Sequence, residues 1–226
     1  MACMVHHVDA PDAKTIRSWR DFLKEVGIIV LGVLIALAAE QAVDEWNWRR
    51  EVAVVEDSLN DELSDAFFSA QERVKIADCQ RRTLDALDDL ADRSRGTLVI
   101  STAPVIRNRL WGSAAWDAAV ASGTIAHMPH DTRNLYANLF SFVHLFRELN
   151  IRQEQLWATL SAYRRPRPFS DSSRDRFVET VAQLRALTGT MNVAAQQFVD
   201  QAKPLHIRLT PQDAEALRQP LQCPMP

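Results

Sequence analysis

His127 and His130 bracket Met128-Pro129 in the motif HMPH. Two imidazoles three residues apart can share a metal ion, but a protein metal site ordinarily needs three or four ligands. No third or fourth ligand is evident beside them, and the HExxH pattern is absent from the sequence. Asp85, Asp88, Asp89 and Asp92 fall on one side of a helix in DALDDLAD. Such a run can attract a cation, although charge runs are ordinarily solvated faces. Arg164, Arg165 and Arg167 alternate with prolines in an exposed basic loop. That loop could touch phosphate or an acidic partner, or simply be a polar turn between helices.

The three cysteines, Cys3, Cys79 and Cys223, form no CxxC pair, so neither a zinc ribbon nor a thioredoxin-type redox site is expected. G-x-S-x-G, a glycine-rich phosphate loop, paired catalytic carboxylates and the Glu-x-x-His of di-iron bundles are also missing from the sequence. The chain therefore reads as non-enzymatic, with no cofactor. The residues closest to a binding constellation are Trp111, Trp116, Tyr136, Phe140 and Trp157. They are candidates for core packing first, and for an aromatic-lined apolar pocket second.

Charge narrows the partners. Four of the 26 Lys and Arg residues and seven of the 29 Asp and Glu residues precede Arg49, leaving 22 of each sign in the remainder. A neutral body without a basic stripe argues against a nucleic-acid partner.

The elements that must position these residues begin with DFLKEVGIIVLGVLIALAAEQAVDEWNW, residues 21–48. Val26 to Ala39 is uncharged, and extending the run to Val43 gives 18 residues, about 27 Å of helix. That is short for a hydrocarbon core of about 30 Å but sufficient with slight thinning. Trp19 and Trp46 are separated by about 40 Å of helix, which matches core plus headgroup layers and an aromatic residue at each interface. Lys24 can snorkel at one end, and Glu40 falls within a turn of the other. Ala36-Leu37-Ala38 would also fit a signal-peptidase site, but residues 1–25 carry no net positive charge. A buried central helix of a soluble bundle is the third reading. The membrane span is preferred. Gly32 and Ala36, four residues apart, would permit close helix association within it. Lys14, Arg17, Arg20 and Lys24 before the run outnumber Arg49 and Arg50 after it, which places the N-terminus in the cytoplasm.

Beyond the span, apolar residues recur at steps of three and four, predicting that its helix continues to about Arg95-Gly96. Residues 96–103 read as a connection that could be briefly extended. Thr102 and Pro104 suit a helix start, and Gly123 its stop. Gly112, Ser113, Ala114 and Ala115 would let that helix pack tightly against a neighbour. Asp131 is a plausible N-cap. Leu135, Leu139, Phe142, Phe146, Leu149, Gln153, Leu156, Leu160 and Tyr163 then form a heptad-like seam with one polar member. After the Arg-Pro loop, a helix carrying Phe177 to Ala202 stops before Pro204, and Thr210-Pro211 opens a short last helix.

DFLKEVGIIVLGVLIALAAEQAVDEW, together with WGSAAWDAAVASGTIAHMP and LYANLF, resembles an uncharacterised bacterial family of single-span, membrane-anchored helical proteins. The resemblance implies an anchor and a helical domain, and carries no activity or functional residues.

The expectation is thus an all-α protein: a cytoplasmic segment 1–25, a transmembrane helix 26–43, a bundle of about four long up-and-down helices over 44–204, and a short helix with an irregular tail over 205–226. The bundle would lie in the periplasm and serve interaction or sensing. Its partners would be the lipid bilayer and either a second copy or another membrane protein. A soluble or periplasmic ligand-binding or enzymatic protein is the alternative. In an oxidising periplasm, Cys79 and Cys223 would be the two cysteines outside, and a disulfide between them is expected.

Overall fold

A computed structural model describes residues 19–100 and 109–220. The chain divides into two units, residues 1–50 and 51–226. The described part of the first is wholly helical, and almost every residue of it is exposed. It belongs to α1 (Trp19–Arg93), a continuous helix with no proline to break it.

The second unit is built on three long helices: the remainder of α1, α3 (His130–Ser161) and α4 (Asp171–Ala202). Short elements join or follow them: β1 (Gly96–Leu98), α2 (Ala114–Ser122) and β2 (Arg167–Phe169) lie between the long helices, and α5 (Pro211–Arg218) comes after the last. The all-α class holds, with one small addition. β1 and β2 pair antiparallel, Gly96 opposite Phe169 and Leu98 opposite Arg167. The Arg-Pro turn is therefore partly extended. Pro168 sits on an edge strand, where its missing N–H costs little.

Among the described residues, three helices are long where about four were expected. The shortfall lies at α2, which begins at Ala114 rather than near Pro104. The proposed start at Thr102 lies outside the described residues. Before Ala114, the Trp111 carbonyl accepts from Arg147 Nε and Nη2 at 3.0 and 2.8 Å. Glu62 then takes the Ala114 and Ala115 N–H groups at 2.8 and 3.0 Å, a carboxylate placed on a helix N-terminus. The predicted stop is observed: Gly123 ends α2 in the left-handed region at φ 78°. α3 is preceded by Pro129 rather than capped by Asp131, which lies in its first turn.

Two apolar clusters fill the second unit. One joins Leu59, Leu63 and Ala70 of α1 to Tyr136, Phe140 and Phe146 of α3, and to Met191 and Phe198 of α4. The other joins Leu84 and Leu87 to Leu160, Phe177 and Val181, with Leu98 and Phe169 of the strands. Arg174 closes this second end. Its guanidinium lies over the Phe169 ring and donates to the Ala91 and Ser94 carbonyls, so a cation satisfies the C-terminus of α1.

Candidate functional site

On each long helix, polar residues fall between the two apolar clusters. Arg73 on α1, Gln153 on α3 and Thr188 on α4 are all buried. Arg73 Nη2 donates to Gln153 Oε1 at 3.1 Å, and Gln153 Nε2 donates to Thr188 Oγ1 at 3.0 Å. The polar member of the predicted seam is thus the middle link of a hydrogen-bonded layer across three helices. Asn150, one turn earlier on α3, is buried beside it.

Glu72 flanks the layer. Its buried carboxylate accepts from Arg109 Nε and Nη2 at 2.9 and 3.1 Å, a two-pronged pairing that suits guanidinium geometry. Hydrogen bonding to Glu72 raises the Arg109 pKa, and its guanidinium also lies over the Phe68 ring. Arg73 differs: burial pushes its pKa down to about 10, and the Glu72 charge only partly opposes this.

Trp111 covers the layer. Its ring stacks on Phe146 with centroids 4.2 Å apart. Arg147 holds the adjacent backbone and donates to Ser113 Oγ at 2.7 Å, while Ser113 Oγ donates to Asp117 Oδ2. A cleft of about 610 Å³ opens beside Trp111, between residues 109–114 and the α3 side chains Arg147, Ile151 and Glu154. Behind it lies a small chamber of about 10 Å³ that includes Glu72, Arg73, Trp111 and Asn150 in its lining.

The five aromatic candidates do not converge on one pocket. Trp116 stacks on Phe140 at 5.3 Å, and both belong to the first apolar cluster. Tyr136 is buried there too, donating to Asn60 Oδ1 at 2.9 Å, and burial raises its pKa to about 12. Trp157 packs against the second cluster. Trp111 alone of the five lines the cleft. Pairwise spacing along a sequence identified apolar positions but could not separate core from pocket wall.

His127 and His130 are exposed, and His130 Nδ1 lies 3.1 Å from Asn134 Nδ2. Among the described residues, no group of three or more His, Cys, Asp or Glu side chains could hold a metal ion. The acidic run is partly engaged: Arg185 donates to Asp85 and Asp88, each at 2.6 Å. Arg164, Arg165 and Arg167 are all exposed.

Gly32 and Ala36 lie on the exposed stretch of α1, and a Cβ placed at Gly32 would meet nothing within 4 Å. Cys79 is buried on α1 and is not without a partner. Cys3 and Cys223 lie outside the described residues. No family model, curated protein or solved structure matches the chain.

Proposed function

We propose that the chain is a non-enzymatic, single-span inner-membrane protein. Its helical unit, residues 51–226, lies in the periplasm and serves interaction or sensing. One observation carries the anchor. The 26–43 run lies on a helix long and apolar enough to cross a bilayer, and none of that apolar window is buried within the chain. A core helix of a soluble bundle would be covered by its own neighbours, whereas Ile28, Leu31, Leu34 and Ile35 are all more than half exposed. An apolar surface this continuous needs lipid or protein against it. Trp19 and Trp46 are exposed at the two ends, as interfacial anchors are. A second copy or another membrane protein could meet the Gly32–Ala36 face.

Carbonate washing of isolated membranes tests the anchor: the chain should remain in the pellet, and release into the supernatant would refute a span. Reporter fusions at residues 10 and 100 test the orientation. A periplasmic signal is expected from residue 100, and a cytoplasmic one would overturn the topology.

A further inference from the structure

Among the described residues, two buried donors beside the cleft lack acceptors. Arg73 Nη1 and Trp111 Nε1 make no hydrogen bond to any described residue, and their residues are only 7% and 6% exposed. Buried polar atoms are nearly always paired, and an unpaired one carries its full desolvation cost. Both side chains line the small inner chamber. The chamber and the outer cleft share Arg109, Trp111 and Asn150 as lining, so the two spaces adjoin. About 10 Å³ of space corresponds to one oxygen-sized centre.

Charge selects the kind of oxygen. The described residues around the chamber include one carboxylate, Glu72, and two guanidinium groups, Arg73 and Arg109. Arg109 takes Glu72 by both prongs, while Arg73 Nη2 donates to the neutral amide of Gln153. Among the described residues that line the chamber, one positive charge is left over in a buried place, where an uncompensated ion is costly. An anionic acceptor would answer both the charge and the two donors. The outer cleft offers Leu110 and Ile151 to an apolar body; its Arg147 is already turned to the Trp111 carbonyl and Ser113 Oγ, and Asp117 and Glu154 would repel a second negative charge.

We propose that this is a binding site for a small monocarboxylate. One carboxylate oxygen enters the inner chamber and accepts from Arg73 Nη1 and Trp111 Nε1, and the apolar remainder occupies the outer cleft. The site stands independently of the membrane reading. It gives the helical unit a ligand class that could be sensed, because the bound oxygen would lie against the polar layer joining α1, α3 and α4.

The test is thermal unfolding and calorimetric titration of the full chain in mild detergent at pH 7. The probes are acetate, hexanoate and benzoate, with sodium chloride at equal ionic strength and neutral benzamide as controls. At least one carboxylate should raise the midpoint saturably, while chloride and benzamide do not. Trp111→Phe removes the N–H and keeps a ring to stack on Phe146. It should weaken binding of that carboxylate at least tenfold. Arg73→Met should do the same, and Arg164→Ala should leave binding unchanged. If Arg73→Met does not fold, Trp111→Phe decides. The proposal is overturned if none of the three carboxylates saturates, if chloride or benzamide matches them, or if Trp111→Phe binds as tightly as the wild type. The last result would leave water as the chamber's occupant.

Discussion

At the level of single residues, Gln153 and Gly112 hold positions that hydrophobicity alone would misassign. Gln153 occupies an apolar seam position, so replacing it with leucine ought to help by simple burial. The hydrogen bonds argue the reverse. Gln153→Leu strands the Arg73 guanidinium and the Thr188 hydroxyl, both buried. Losing partners for a buried charge and a buried hydroxyl should cost roughly 2–4 kcal/mol. Chemical denaturation would measure this, and a stabilised Gln153→Leu variant would contradict the role of the polar layer. Gly112 is needed for a different reason. A Cβ there would meet Glu62 Oε1 at 2.8 Å, and Glu62 is pinned by the Ala114 and Ala115 N–H groups. Gly112→Ala should therefore push the carboxylate off the α2 N-terminus and cost about 1 kcal/mol, the usual worth of a helix cap. Glu62→Ala should cost a similar amount. The two changes should not add, because each removes the same contact. Additive losses in the double variant would show that Gly112 acts elsewhere.

At the level of elements, the 135–163 seam shows what periodicity can and cannot resolve. α3 exists as predicted, and Leu139, Phe146, Gln153 and Leu160 are buried as the heptad pattern requires. Leu135, Phe142, Leu149, Leu156 and Tyr163 are only partly buried, while Tyr136, Phe140, Val143 and Asn150 are fully so. The buried stripe is wider than a two-helix seam and rotated from it, because α3 packs against α1 and α4 and not one partner. Leu139→Ala should therefore cost about 2–5 kcal/mol, from lost burial and a residual cavity. Leu156→Ala should cost distinctly less, and exposed Arg164→Ala should cost within about 0.5 kcal/mol of nothing. Unfolding curves for the three would test the ranking, and equal losses at Leu139 and Arg164 would defeat it. Helix existence and most helix ends were legible because proline, glycine and the three-four repeat act locally: Gly123, Pro204 and Thr210 all mark real boundaries. The β1–β2 pair, the late start of α2 and the chamber behind Trp111 were not legible. Each depends on a partner distant in sequence, Phe169 for Gly96, Glu62 for Ala114, and Arg73 for Trp111.

For the molecule as a whole, the course of the C-terminal segment bears on the compartment. Ser64 Oγ donates to the Arg208 carbonyl at 2.9 Å, and Lys75 Nζ donates to the carbonyls of Leu217 and Gln219. The segment thus advances along α1 in the direction of rising residue number. Cys79 lies one helical turn beyond Lys75, about 6 Å, on the same face. Four residues from Gln219 to Cys223 can span up to about 13 Å. The reach therefore suffices for the proposed Cys79–Cys223 disulfide, with Cys79 buried on α1. The bridge would close a 144-residue loop between Cys79 and Cys223, for which the chain-entropy model gives roughly 4–5 kcal/mol. Such a bridge persists only in an oxidising compartment, so its presence bears on the orientation as well as the fold. Protein taken from membranes without reductant, then denatured and alkylated, should carry one modified thiol, and prior reduction should raise that to three. The Cys79→Ser, Cys223→Ser double variant should lower the unfolding midpoint relative to the oxidised chain and match the reduced one. Three modified thiols before reduction would remove the bridge, and with it this argument for a periplasmic helical unit. In that case the Lys75 contacts would remain as the restraint holding the segment against α1.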